Sequence, residues 1–322
     1  MAIVLPESLG ASAADLKSPL YAAWQLTNEC DLCCLHCIEG SGPGKAFANE
    51  LSRGEAFRIV DELIAAEVPY VAFSGGEPLL HPHLFELLDR FRGHGVGLKL
   101  ETNGQFLDPA TCGRLADAQV KAVQVSLDGI SEPVLQKLRP KASLQKIMDG
   151  IRGLRDVGVS VEVNFAPTRH NVGQVSSTMD LAQSFGAYAF YTGRLMYTGR
   201  AVHSWDKIAP SEEQYAVFFA AVRAKAREFE GRMRVCYHES GIVEELRYRA
   251  AHPAALIIIL PDGRVKLINA LPFTCGDLRR QSLSEVWARY QQAWQDPCVT
   301  GFIEELAKDE KAISRLHEWV EL

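Results

Sequence analysis

The sequence predicts an α/β protein: a partial (β/α)6 TIM-like barrel over residues 21–208, then a small α+β segment over residues 209–322. Residues 1–20 form an N-terminal extension. Three observations predict this. Six short apolar runs alternate with helix-like stretches from about Tyr21 to Arg194. The alternation stops near Ala209. Four of the eight cysteines fall within eight residues, directly after the first apolar run. Repeated βα units form a parallel sheet with helices outside, and a barrel is its natural closure. The functional residues then belong where the strands end, at their C-terminal edge.

The elements follow in order. Ala22–Leu26 is the first strand. A helix opens at Ser52, with Glu55 three residues on as a capping box, and Phe57, Val60, Leu63 and Ile64 share one face. The next strands are Tyr70–Phe73, Leu98–Glu101, Ala122–Leu127, Val159–Phe165 and Tyr188–Thr192. Helical stretches at His83–His94, Pro109–Ala118, Leu144–Val157 and Gln174–Phe185 lie between them. Ser211–Glu230 reads as a charged helix that breaks at Gly231. Ala255–Ile268 is two apolar runs joined by Pro261-Asp262-Gly263, a hairpin signal. Val286, Trp287, Tyr290 and Trp294 form a helical stripe most simply read as core. Phe302–Val320 reads as a final amphipathic helix.

Composition excludes several classes. With 322 residues, 47% hydrophobic and 23% charged, the chain buries a large core, which rules out disorder as its main state. The net charge of −6, from 34 basic and 40 acidic residues, argues against nucleic acid as a partner. The longest strongly apolar run, Ala254–Leu260, is far below the roughly 18 residues of a membrane span. No basic region precedes an apolar core near Met1, so a cytoplasmic chain is expected.

Cys30, Cys34 and Cys37 have the spacing C-x3-C-x2-C. Thiolates so placed suit an iron–sulfur centre or zinc. A closed zinc site wants four ligands and would recruit Cys33 or His36, whereas three thiolates on a 4Fe–4S cluster leave one iron open. Ser74-Gly75-Gly76-Glu77-Pro78 follows the second strand. Alone it reads as an ordinary turn; after the cysteine loop it reads as a ligand cradle, where glycine lets backbone approach closely. Thr102-Asn103-Gly104 and Ser126-Leu127-Asp128-Gly129 end the third and fourth strands. Asn164 is a polar residue among Val161, Val163 and Phe165, and needs a partner if buried. His170 reads as a loop or cap residue.

The cysteine loop, placed after the first strand of such a barrel, resembles the radical S-adenosylmethionine (radical SAM) superfamily. The stretches 26–43 and 168–174 and Gly199-Arg200-Ala201 look most like its SPASM/twitch-type peptide-maturase branch. The resemblance implies one 4Fe–4S cluster on Cys30, Cys34 and Cys37, with SAM bound at its open iron. It implies a 5′-deoxyadenosyl radical that takes hydrogen from a ribosomally made precursor peptide. Decarboxylation, tyramine-type excision and crosslinking are the outcomes it suggests. A small metabolite or tetrapyrrole is the alternative substrate, and a zinc-loop interaction protein the alternative class. Ser74, Gly75, Gly76, Glu77 and Pro78 match the motif that binds the amino group of SAM. Ser126 matches a SAM contact and Arg139 the carboxylate ligand, with Asn103, Asp128, Asn164 and Leu195 as further cofactor contacts.

The C-terminal segment is read as a degenerate SPASM-like domain. The hairpin and Ser282-Leu283-Ser284-Glu285-Val286-Trp287 match the pattern, but Asn269 stands where a cysteine is expected. Cys236, Cys275 and Cys298 are too few for auxiliary clusters, so none is expected. About twenty residues precede the first strand, so leader recognition is expected from a separate small protein. A flavodoxin or ferredoxin is the expected reductant.

Overall fold

The computed structural model describes residues 13–315 and 317–322; residues 1–12 of the N-terminal extension lie outside the described residues. Strands β1 (Tyr21–Gln25), β2 (Tyr70–Ser74), β3 (Gly97–Thr102), β4 (Ala122–Ser126), β5 (Ser160–Phe165), β6 (Ala189–Gly193) and β7 (Arg234–His238) pair in parallel, each with the next. Strand β8 (Leu256–Ile259) pairs with β1, also in parallel. Strands β9 (Arg264–Lys266), β10 (Phe273–Asp277) and β11 (Val320–Glu321) extend that side. All belong to one sheet whose edges are β11 and β7, so the barrel is partial.

Helices α1 (Arg53–Ala65), α2 (Leu84–Arg90), α3 (Pro109–Asp117), α4 (Glu132–Leu138), α5 (Leu144–Asp156), α6 (Val175–Ser184), α7 (Ala201–Ile208) and α8 (Glu212–Glu228) alternate with the strands. Helices α9 (Ile242–Ala251), α10 (Leu283–Ala293) and α11 (Pro297–Lys308) follow. The reciprocal capping box of Ser52 and Glu55 starts α1 as expected, and Ser211/Gln214 and Ser282/Glu285 start α8 and α10 in the same way.

The two faces of the sheet differ in chemistry. Successive residues of a strand point to opposite faces. On one face Trp24, Phe73, Leu100, Val125, Val163 and Phe190 are buried to within 1% exposure. This is the helix side: Trp24 lies 5.8 Å from Phe73, which lies 6.1 Å from Phe91 at the end of α2. The other face, inside the curl, carries Gln25, Ser74, Lys99, Gln124, Ser126, Glu162 and Asn164, in register across the strands. Lys99 pairs with Glu162 at 2.7 Å and donates to Gln124 at 2.8 Å. Arg234 donates to the Tyr191 hydroxyl at 2.8 Å. A polar interior of this kind suits a bound ligand better than the branched apolar layers that fill a closed barrel.

One expectation needs correction, and two elements carried no expectation. Residues 302–320 are not one helix: Asp296 caps α11 and Pro297 opens it, Asp309 ends it, and a 3₁₀ turn leads to β11. Strand β7 was not expected, because Arg-Val-Cys-Tyr-His is short, mixed and half-exposed at an edge. Helix α7 follows Gly199, in a stretch to which the sequence assigned no element.

Candidate functional site

The cysteine loop leaves β1 at Leu26, whose N–H bonds to Ser74 O at 2.9 Å. The turn after β2 lies directly on it. Gly76 donates to Thr27 O at 2.7 Å and Glu77 to Glu29 O at 2.8 Å. A Cβ on Gly75 would meet Thr27 O at 2.4 Å, and one on Gly76 would meet Glu29 O at 2.0 Å. Gly75 also has φ +136°, which favours glycine. These glycines therefore let two loops pack together; the close neighbour is protein backbone rather than open space for a ligand.

Glu77 likewise bonds neighbouring protein groups. Its carboxylate is fully buried and accepts from Asn103 N at 2.9 Å, Leu79 N at 3.1 Å and Thr102 Oγ1 at 2.8 Å. It ties the β2 turn to the end of β3. Burial pushes its carboxyl up to about 7. Pro78, buried beside it, opens a 3₁₀ turn.

Cys30 and Cys34 are buried, Cys37 is half-buried and Cys33 is exposed. Leu32 N–H and the Asn103 amide face the Cys30 sulfur at 3.4 and 3.8 Å. The same amide donates to Asp31 at 2.7 Å. Arg139 Nη1 reaches the Cys34 sulfur at 3.6 Å. Cys30 feels the field of Cys34, and Cys34 that of Cys37, so Cys34 lies near both of the others. Burial pushes the thiols of Cys30 and Cys34 up, to about 12 and about 11. Metal coordination removes such protons, and donors aimed at sulfur stabilise the thiolates that result. The donor set therefore fits an anionic metal–thiolate centre. Among the described residues no three His, Cys, Asp or Glu side chains converge on a point fit for a single metal ion. His36 lies against Arg139 instead, with Nε2 at 3.3 Å; burial, reinforced by that guanidinium, pushes its ring down to about 3.

Arg139 is buried, and all three guanidinium nitrogens are engaged. Nε bonds the buried Asp128, Nη1 faces Cys34 and Nη2 faces His36. Asp128 in turn accepts from Ala166 N at 2.7 Å, and its carbonyl accepts from the Asn171 amide at 3.0 Å. Arg139 thus acts on the cysteine loop and has no nitrogen turned to open space. Ser126 and Asn164 are register partners on the inner face, both half-buried. Leu195, after β6, is half-buried, with its N–H on the Tyr215 hydroxyl at 3.1 Å. His170 bonds Lys207 O at 2.9 Å, as a loop residue would.

Arg200 has no place among the expected site residues, although Gly199-Arg200-Ala201 stood out. It donates to Cys34 O at 2.8 Å, Gly40 O at 2.8 Å and Ser41 O at 2.5 Å. Its own N–H bonds Cys37 O at 2.9 Å, and Ser204 bonds Leu35 O at 2.7 Å. A Cβ on Gly199 would meet Ile38 O at 2.2 Å. The signal was a Gly-Arg pair just beyond a strand end: glycine for close approach, and arginine for several carbonyls at once.

Comparison with known proteins agrees with this geometry. Residues 24–181 match the model of the radical SAM superfamily. The chain is 34% identical over 226 residues to the mycofactocin maturase MftC of Mycobacterium ulcerans, covering 70% of this chain and 60% of that protein. It is 27% identical over 290 residues to the AdoMet-dependent heme synthase of Methanosarcina barkeri, covering 84% and 82%. The chain therefore spans about three-fifths of the length of that maturase. Among solved structures, Streptococcus suis SuiB bound to S-adenosylmethionine superposes with a TM-score of 0.70 at 17% identity, covering 89% of this chain and 68% of that one. A three-thiol loop after β1, a glycine turn packed on it from β2 and a superfamily match spanning both show that residues 24–181 form a radical SAM domain.

Proposed function

We propose that the chain modifies a ribosomally made precursor peptide. The observation that carries this is the 34% identity over 226 residues to the mycofactocin maturase MftC. In this reading Cys30, Cys34 and Cys37 hold one 4Fe–4S cluster. Ser74, Gly75, Gly76, Ser126, Asn164 and Leu195 border the SAM site. Asn103, Glu77, Pro78, Asp128 and Arg139 hold its walls in place. When bound, the cluster and SAM supply a 5′-deoxyadenosyl radical that takes a hydrogen atom from the substrate.

The chain's own residues do the rest. Asn103 and Arg139 aim donors at the thiols of Cys30 and Cys34, and Arg200 fixes the backbone from Cys34 to Ser41. The polar inner face around Gln124, Ser126 and Asn164 gives a substrate hydrogen-bonding groups beside the site. We assign residues 21–208 to the radical SAM core and 209–322 to a SPASM-like segment without auxiliary clusters. The dispersal of Cys236, Cys275 and Cys298 over β7, β10 and α11 supports that assignment. A separate leader-binding protein, a flavodoxin or ferredoxin reductant and a cytoplasmic setting belong to the same proposal. No described helix is long and apolar enough to cross a membrane.

A second reading has its own support: the heme synthase relative matches 82% of its length, including the C-terminal segment. The substrate is then a tetrapyrrole bearing carboxylates. One experiment separates the two. The reconstituted enzyme is incubated without oxygen with SAM, dithionite and the precursor peptide encoded beside its gene. A mass change in the peptide, matched by 5′-deoxyadenosine, is the expected result. An unchanged peptide, with carboxyl loss from an iron coproporphyrin in its place, would overturn the proposal.

A further inference from the structure

Glu101 is an acid on the inner face that the chemistry above does not use. It follows Leu100, which is fully buried on the helix side, so its own side chain points into the curl. It is paired in register with Gln124 of β4, and Gln124 with Glu162 of β5. Its side chain is 37% exposed. Ser126, two residues beyond Gln124 on the same face, borders the proposed SAM site, about 7 Å further along at the rise of a strand. The interior beside Glu101 is open. On β4 Ala122, Gln124 and Ser126 are half-buried, while Val123 and Val125 behind them are fully buried. At the level of Lys99 the neighbouring inner-face residues are Ala23, Ala72 and Ala122, whose side chains end at Cβ.

The charges here do not balance. Among the described residues Lys99 is the cation within ion-pairing distance of Glu101, at 3.4 Å. The same ammonium lies 2.7 Å from Glu162 and donates to Gln124 at 2.8 Å. Glu162 is 5% exposed, so the lysine sits closest to the carboxylate that water reaches least. Even so, Glu162 Oε2 is buried and receives no hydrogen bond of ordinary geometry among the described residues. Arg234, further round the same face, is turned to the Tyr191 hydroxyl and lies 5.6 Å from the centre of the Tyr188 ring. One lysine thus serves two carboxylates, and the excess negative charge falls on the acid that faces open space. A cleft with a fixed charge of one sign concentrates ions of the other.

We propose that Glu101 forms a cation-binding subsite for the substrate, its carboxylate pairing with an ammonium or guanidinium group that enters the open interior beside Ser126. A lysine or arginine side chain of the peptide supplies that group, and this part rests on the peptide reading above. A substrate whose own charges are carboxylates is repelled at the same place, so the subsite selects against an anionic molecule.

The test uses the full chain, reconstituted and saturated with SAM in the absence of oxygen. The probes are N-acetyl-lysine amide and N-acetyl-norleucine amide, which has the same carbon stem without the charge. Binding is read by calorimetry. The lysine probe is expected to bind roughly tenfold more tightly, as a charge-assisted contact would give. E101Q is expected to lose that preference and E101D to keep part of it. Equal binding of the two probes, or a lysine preference that survives in E101Q, would overturn the subsite. So would a preference seen without SAM and lost when SAM is added, because Glu101 would then serve the cofactor. A precursor peptide left unmodified while the lysine preference holds would keep the subsite and reject the peptide reading. If E101Q does not fold, E101D decides: a ratio between the probes equal to that of the wild type overturns the proposal.

Discussion

Replacing Arg200 with alanine tests how the cysteine loop is held. The substitution removes a guanidinium that bonds three carbonyls, those of Cys34, Gly40 and Ser41. Cys34 and Ser41 are buried, so water does not readily replace the lost donor there. Cys34 O keeps the Cys37 N–H, so one buried carbonyl, that of Ser41, is left unpaired and the loop should lose about 2 kcal/mol, within the usual range of about 1–3 kcal/mol. That is roughly thirtyfold in the local opening constant, on the order of 1.4 kcal/mol being tenfold. The core packs elsewhere, around Trp24, Phe73 and the helices, so global stability should change far less. Hydrogen exchange reads the difference: the Leu35 and Cys37 amides, bonded to Leu138 O and Cys34 O, should lose protection in R200A while those of β2 and β3 keep theirs. Iron retained after anaerobic reconstitution should fall in step, with R200K between R200A and wild type because one ammonium cannot span three carbonyls. R200A with unchanged loop protection and a full iron content would refute the reasoning.

Cys34→Ala should lose the iron–sulfur absorbance and all 5′-deoxyadenosine formation, whereas Cys33→Ala, at an exposed thiol, should keep both. Gly76→Ala forces a Cβ to within 2.0 Å of Glu29 O and should cost roughly 3 kcal/mol in urea unfolding. Gly54→Ala, in α1 with open space around it, should gain about 0.5 kcal/mol by the same measurement. Glu77 supplies a pH signature. Its folded carboxyl is raised from 4.5 to about 7, so the folded state holds the proton more tightly. That contribution is complete below pH 4.5 and is lost as pH rises through 7, by up to about 3 kcal/mol. Urea unfolding at pH 5 and pH 8 should show this slope in wild type and a flatter one in E77Q; equal slopes would reject it.

The βα rhythm could be read from sequence because each strand buries one apolar face against helices. Runs such as Tyr70–Phe73 and Ala122–Leu127 carry that signal. Strand β7 lacked it, since a short, half-exposed edge strand carries little apolar signal. The cysteine spacing, the glycine turn and the strand-end polar residues were visible for a different reason: each is an unusual residue type at a turn. Orientation was not visible. Spacing places Glu77 and Arg139 at the right edge, but only the fold turns Glu77 into the Asn103 turn and Arg139 onto Asp128 and Cys34. Arg200 escaped because its partners lie about 160 residues away in sequence.

Those long-range bonds explain why a loop with little structure of its own holds one shape. Its fastenings come from successive strand ends: Gly76 after β2, Asn103 after β3, Leu138 and Arg139 after β4, and Arg200 and Ser204 after β6. The C-terminal tail adds His317 on Ile38 O. No single βα unit supplies enough of these contacts to offset the entropy of ordering the loop, which amounts to about 1–2 kcal/mol per residue for backbone alone. The loop therefore takes its final shape only when the strands that hold it are in register. The mutual placement of the three thiols is in this way a consequence of completed sheet assembly, and a substitution at any one strand end should act on all of them. That is why Arg200, Glu77 and Gly76 belong with Cys30, Cys34 and Cys37 in one cooperative unit, although sequence separates them widely and none of the three is placed to ligate a metal.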